Sequence, residues 1–336
     1  MEMSTKLPGL HWLDTPRCVD LTKVRAYTET YAYDGVGGLL QLAHRTGDGG
    51  FTRTYNIPSG SNQVTAMTTG STAYQYAYDA CGNMTSETTS RLFEWNHANQ
   101  LATFRTQTPN AEPSLYAEYR YDTAGQRILK IVRKQGGQLA VTIYIDGLFE
   151  RLILIKPSNA ASYDRLHILD DATRIAVIQV GLPAPGDAYP PIAYHLGDHL
   201  SSSTVVLDSS GAQFNREEYT PYGETSFGSY AKKRYQHTAK ERDEESGLYS
   251  HVARYYASWL SRWTSTDPLP RPSQSPYCYA GNNPLCKVDP SGAQETDVQS
   301  AGQPALPMTG TAWDAEAQPW AMGSRRHDVR YSKLRA

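Results

Sequence analysis

The residues best suited to chemistry are two aspartates, each followed by proline. They stand in Asp267-Pro268-Leu269-Pro270 and in Asp289-Pro290-Ser291-Gly292, with the 18 residues Arg271 to Val288 between the two tetrapeptides. Two carboxylates held close cannot both ionise without strong repulsion, so such a pair shares a proton. One can then activate a water while the other donates to a scissile carbonyl, and a nearby arginine would hold and orient one of them. Asp-Pro is also a common turn opener, and each pair taken alone reads as structure. His195 and His199, with Asp198 between them, have the separation of a metal-binding pair. No third ligand recurs at a useful distance and no HExxH is present, so they read as polar residues at a strand end. No cofactor or metal is expected.

The elements that must position these groups follow from composition and repeats. There are 24 tyrosines against 6 phenylalanines in 336 residues, and 26 glycines and 20 prolines are spread along the chain. That profile predicts short strands joined by tight turns, a mainly β fold. Three units share the pattern Tyr-Asp-x-x-Gly, ending at Gly37, Gly82 and Gly125. Tyrosines at alternate positions lead into each: Tyr27, Tyr31 and Tyr33, then Tyr74, Tyr76 and Tyr78, then Tyr119 and Tyr121. The alternation predicts a strand and Asp-x-x-Gly the turn that ends it. Further strands are predicted at Ile128–Val132, Val141–Ile145, Leu152–Ile155, Arg174–Val180 and Thr204–Leu207, with Gly181–Pro191 as an internal loop. The charged run Lys240–Glu245 reads as a solvated turn.

A net charge of −2 gives no chain-wide electrostatic reason to expect nucleic acid or an anionic membrane as partner. No apolar run approaches the roughly 18 residues of a membrane-spanning helix, and Met1–Asp20 shows no cleavable signal. Cys18, Cys81, Cys278 and Cys286 form no CxxC pair and read as free or buried thiols.

From Tyr194 onward a longer pattern emerges. It runs through Tyr194-His195-Leu196-Gly197-Asp198-His199-Leu200-Ser201-Ser202, Glu217-Glu218-Tyr219-Thr220-Pro221-Tyr222-Gly223 and Glu245-Ser246-Gly247-Leu248-Tyr249. It continues through Ala253-Arg254-Tyr255-Tyr256, Tyr279-Ala280-Gly281-Asn282-Asn283-Pro284 and Val288-Asp289-Pro290-Ser291-Gly292. In order and spacing this resembles the repeat-associated core of the RHS/YD-repeat family, including the C component of insecticidal toxin complexes. Ser201, Ala239 and Ser261 stand where that family usually has glycine. The resemblance implies a curved or spiralling β-sheet shell, divided here into YD-repeat strands (1–190), the associated core (191–293) and a variable tail (294–336).

It also implies an aspartyl autoprotease with the signature DPxG, about eighteen residues, then DPxG, and an essential upstream arginine. The matching residues are Asp267, Asp289 and Arg254, and the cut would fall between Ala293 and Gln294. Pro270 replaces the first motif's glycine, and Ala293 the usual leucine. Residues 294–336 would be the cargo, and their composition reads as disordered. A full shell of this family needs more chain, so an unpaired sheet edge is expected, with a B-type toxin-complex chain or an N-terminal RHS region completing it. Secretion or delivery by a toxin complex would follow from the resemblance. Two other readings stand beside this one: an inert structural fragment needing a partner chain, and a surface protein whose aromatic strands bind carbohydrate.

Overall fold

The computed structural model describes residues 26–88, 90–170, 173–181, 189–228 and 233–298, together with the backbone of a strand at Arg326–Arg330. The start of the chain, most of the Gly181–Pro191 loop and most of the tail lie outside the described residues.

The Tyr-Asp-x-x-Gly turns set the architecture. At Asp34, Asp79 and Asp122, Oδ1 accepts hydrogen bonds from the amides two and four residues on, at 2.7–3.0 Å. The glycine three residues on takes φ of +82° to +85°, which closes the turn without a Cβ penalty. Asn96, Asp198 and Asp208 open the same turn. Such turns help link eighteen strands, from Tyr27–Tyr33 to Thr225–Gly228, in which each pairs antiparallel with the next. The boundary expected at residue 190 falls inside this sheet, where Thr173–Val180 pairs with Ile192–Gly197.

The sheet is strongly curled. The Tyr33 hydroxyl in the first strand lies 2.7 Å from that of Tyr222, in the turn after Gln213–Tyr219, the seventeenth strand. Laid flat, the sixteen spacings between those strands would span about 77 Å at ~4.8 Å each. Among the described residues the first and eighteenth strands are nevertheless not paired, and the sheet is not closed. The first strand's other edge pairs with Arg326–Arg330, and the sheet's nineteenth strand is thereby a piece of the chain's own tail.

Residues 233–298 pack against the inner face. They contain a four-stranded sheet (Glu241–Arg242, Tyr249–His251, Arg254–Ala257, Arg262–Trp263) and a small hairpin, Lys287–Val288 with Thr296–Asp297. Tyr249, Tyr255, Tyr256, Trp259, Trp263 and Tyr279 form one core with inward residues of the large sheet such as Tyr31, Tyr74, Tyr76, Phe104 and Tyr119. The run Lys240–Glu245 is not a solvated turn. Glu241, Asp243 and Glu245 are buried against the sheet because Arg127 and Lys130 project to meet them.

The three positions where glycine is replaced adopt the left-handed conformation: Ser201 at φ 61°, Ala239 at φ 56° and Ser261 at φ 57°. The Ser261 hydroxyl is also buried without a hydrogen-bond partner among the described residues. Removing the Cβ relieves this strain, so Ala239→Gly and Ser261→Gly are each expected to raise unfolding stability by about 0.5–1 kcal/mol. Urea midpoints of the single variants check this; a lower midpoint in both would contradict it.

Candidate functional site

The two aspartates are brought together by the inner layer. Arg254 opens a strand whose hairpin with Tyr249–His251 turns at Val252-Ala253. Asp267 follows the strand Arg262–Trp263, and Asp289 follows Lys287–Val288. The guanidinium of Arg254 bridges them: Nη2 lies 3.1 Å from Asp289 Oδ2, and Nη1 3.4 Å from Asp267 Oδ2. The carboxylates therefore meet through the arginine; no hydrogen bond joins them directly among the described residues. Burial pulls the Arg254 pKa down, against the opposing pull of Asp267 and Asp289. Its guanidinium carbon sits 4.2 Å from the centroid of the Trp263 ring, a cation–π contact that also fixes its orientation. Asp267 Oδ1 also accepts from Leu269 N at 2.8 Å, one residue ahead of Pro270.

Asp289 opens a variant of the repeat turn. Its Oδ1 accepts from the amides of Gly292 (2.8 Å), Ala293 (3.1 Å) and Gln294 (3.2 Å). Gly292 takes φ +74°, and Arg254 Nε donates to its carbonyl oxygen. In the repeat turns the aspartate amide donates to the carbonyl four residues on, as Asp79 N does to Asn83 O at 2.9 Å. The equivalent bond, from Asp289 N to Ala293 O, is missing among the described residues. The Ala293 carbonyl is thus left out of the turn's own ladder. The Ala293–Gln294 bond lies in the loop of the small hairpin, with Asp289 Oδ1 against its N–H.

Asp289 and Asp267 differ in access. The side chain of Asp289 is 3% exposed and that of Asp267 12%. A cavity of about 270 Å³ adjoins Asp267, bounded by Asn99, Gln100, Gly125, Val252 and Ser265, which leaves room for water at that carboxylate.

The two histidines do separate work. His195 is buried, with Nδ1 2.8 Å from Ser203 Oγ and Nε2 2.9 Å from Tyr189 Oη. His199, in the next turn, donates from Nε2 to Leu285 O at 2.9 Å. The sequence reading missed His251, whose Nδ1 lies 2.7 Å from Asp289 O. Nothing in its neighbourhood in the chain marks it, since the contact spans 38 residues and exists only once the inner layer has folded.

No protein-family model matches the chain. Among curated proteins it is 26% identical over 318 residues to the toxin subunit YenC1 of Yersinia entomophaga, covering 87% of this chain and 31% of the relative. It is 26% identical over 314 residues to the toxin protein Tse5 of Pseudomonas aeruginosa, covering 80% of this chain and 24% of the relative. The tRNA nuclease WapA of Bacillus subtilis is 28% identical over 282 residues, 81% of this chain and 11% of the relative. The chain thus spans about a third or less of the length of these relatives. A crystal structure of TcdB2-TccC3 matches with a TM-score of 0.67 at 25% identity, over 79% of this chain and 14% of that one. A second, TcdB2-TccC3-TEV, matches with a TM-score of 0.69 at 25% identity, over 79% and 13%. In sequence and in its mainly β fold, the chain resembles toxin-complex C components and RHS-type toxins.

Proposed function

We propose that this chain, which resembles toxin-complex C components and RHS-type toxins, is a shell fragment that encloses its own C-terminal tail as cargo. We further propose that it cuts that tail free between Ala293 and Gln294. One observation carries the reading: Arg254 holds Asp267 and Asp289 together while Asp289 Oδ1 faces the Gln294 N–H. In the reaction, water adds to the Ala293 carbonyl carbon and the bond to Gln294 N breaks. One proton of the water ends on that nitrogen and leaves a new amine, and Ala293 becomes a carboxylate. Asp267, on the side of the cavity, is the base that takes the water's proton and returns it to the departing nitrogen, while Asp289, whose Oδ1 accepts from the Gln294 N–H, orients that nitrogen. Arg254, donating to the Gly292 carbonyl and to Asp289 and ion-paired with Asp267, fixes the strand and its catalysts in one frame. The open eighteenth-strand edge, and the first strand's edge once its tail strand is displaced, are where a B-type chain or an upstream repeat region would continue the wall.

Intact mass decides it. The purified chain is expected to lose residues 294–336, while Asp289→Asn keeps full mass. Full mass in both would leave the inert-fragment reading. Tyr31, Tyr74, Tyr76 and Tyr119 are core residues at 2–6% exposure, so a carbohydrate reading would rest on other strand aromatics such as Tyr194, which is 44% exposed.

A further inference from the structure

The loop that carries the proposed cut is seated on a single hairpin. Three residues of that hairpin, His251, Ala253 and Arg254, hold three residues of the loop, Asp289, Ser291 and Gly292, across a gap of more than thirty positions. His251 Nδ1 lies 2.7 Å from Asp289 O, Ala253 N donates to Ser291 O at 2.9 Å, and Arg254 reaches Asp289 Oδ2 and Gly292 O. The fit is close. A Cβ added at Gly292 would meet Arg254 N at 2.8 Å, His251 O at 2.9 Å and His251 Cβ at 3.1 Å.

Within this seat the imidazole has one available role. Its partner at Nδ1 is a carbonyl oxygen, which only accepts, so Nδ1 carries the proton. The side chain is 1% exposed, and Nε2 has no hydrogen-bond partner among the described residues. The Trp263 and His251 rings are perpendicular with centroids 4.9 Å apart at 87°, and the Arg254 guanidinium carbon lies 4.2 Å from the centroid of the same Trp263 ring. The aromatic platform thereby sets the positions of the arginine and the histidine relative to each other. Burial first, and then the charges of Lys240 and Arg254, push the His251 pKa well below its ordinary value, consistent with a neutral ring.

We infer that His251 is a positioning residue for the proposed cut: by donating from Nδ1 to the Asp289 carbonyl it sets the backbone from which Asp289 Oδ1 reaches the amides of Gly292, Ala293 and Gln294. It touches neither the scissile bond nor the water, and acts through Asp289. The inference rests on the self-cleavage reading for its consequence, but the positioning itself is a property of the folded loop and is measured separately.

Two measurements separate them. In chains synthesised in a cell-free system and chased, the rate of loss of residues 294–336 is read by intact mass. His251→Leu removes the donor and is expected to slow the cut by about 100-fold, the scale of a small misplacement of a catalytic group. His251→Asn places an amide N–H where Nδ1–H stood and is expected to restore most of the rate. The pH profile of His251→Asn should overlay that of the unsubstituted chain, because a neutral donor does not titrate in the reaction. In an Asp267→Asn background, where the cut is blocked, amide exchange at Gly292, Ala293 and Gln294 reads the loop directly. His251→Leu is expected to lose protection there and His251→Asn to keep it. If the unsubstituted chain never cuts, the cleavage reading fails while the exchange result still decides the positioning. Unchanged protection in His251→Leu would overturn the inference, and so would a pH profile that moves in His251→Asn.

Discussion

Lys130→Met is expected to lower unfolding stability by about 3–5 kcal/mol, the cost of leaving buried charge without its partner. Lys130 is 8% exposed, and its ammonium lies 2.6 Å from Asp243, 3.1 Å from Glu241 and 3.6 Å from Glu245. Burial works against its charge, yet Asp243, Glu241 and Glu245 outweigh it and hold its pKa well above the ordinary value. Arg127 and Arg234 meet the same acids, with Arg127 2.7 Å from Asp243 and 2.6 Å from Glu241. Removing Lys130 leaves those two arginines facing Glu150, Glu241, Asp243 and Glu245, acids whose side chains are 0–5% exposed. Glu245 is then held only by the Tyr119 hydroxyl at 2.9 Å among the bonds described. This cluster ties the inner layer to the sheet, so its loss should unseat residues 233–298. The control is Arg151→Met. Arg151 pairs with Asp164 at 2.8 Å on the outer face with its side chain 51% exposed, and surface pairs of that kind contribute little. Urea midpoints of the two variants check the contrast; equal midpoints would mean the cluster is hydrated.

The same cluster explains which parts of the fold were legible in the sequence. Where the inner face is apolar, alternation points the right way. Tyr31, Tyr74, Tyr76 and Tyr119 are all buried, as their alternate spacing predicts. From about residue 127 to 180 the polarity of the two faces changes. Lys130, Thr142, Glu150 and His167 are buried on the inner face, and they are polar because the layer against them brings Glu241, Asp243 and Arg234. Leu139, Val141 and Ile143 lie between those inward positions along the same strands and are only half-buried. Hydropathy alone assigns such strands without telling which side faces in. It also makes Lys240–Glu245 look like surface, because Arg127 and Lys130, two of the cations that pair with it, come from a strand more than a hundred residues earlier.

The turns show a similar limit. Asp34, Asp79 and Asp122 were readable from tyrosine before and glycine after. Asn96 and Asp198 build the same hydrogen bonds with Asn99 at φ 58° and Ser201 at φ 61° in the glycine's place, so the pattern dissolves while the geometry stays. At the candidate site, Arg254, Asp267 and Asp289 were nameable because a family pattern fixes their order along the chain. The resemblance carries order and spacing only. That Arg254 stands between the carboxylates, and that His251 anchors the Asp289 backbone, depends on how the hairpin and the small loop pack.

Acid should weaken this packing at pH values where Glu150 is still ionised. His195 and His237 are buried, and their pKa values are pushed down to about 3. Burial is the main cause in both, with Arg174, Lys233 and His167 adding to it at His195. Both rings are therefore neutral in the fold. Above pH ~6.5 the unfolded chain is neutral at these positions too, and the full stability is present. As pH falls below ~6.5 the unfolded chain takes up protons that the folded rings refuse, so stability is lost progressively toward pH 3. At pH 5 each ring has cost about 2 kcal/mol, and the two together about 4 kcal/mol. His251, pushed down in the same way, adds to the loss with the same sign. Glu150, held down to about 2 by Arg234 and His167 against its burial, contributes only below ~4.5, because its stabilisation is lost between its unfolded and folded values. In the window from pH 6.5 to 4.5 the histidines drive the loss, and Glu245, whose pKa burial raises, works against it with the opposite sign. Urea midpoints at pH 7.5 and pH 5 are expected to differ strongly in the unsubstituted chain and much less in a His195→Gln/His237→Gln double variant. His237 lies in the inner layer and His195 in the sheet, so equal pH sensitivity in the two proteins would mean that water already reaches both rings and the layers do not exclude it.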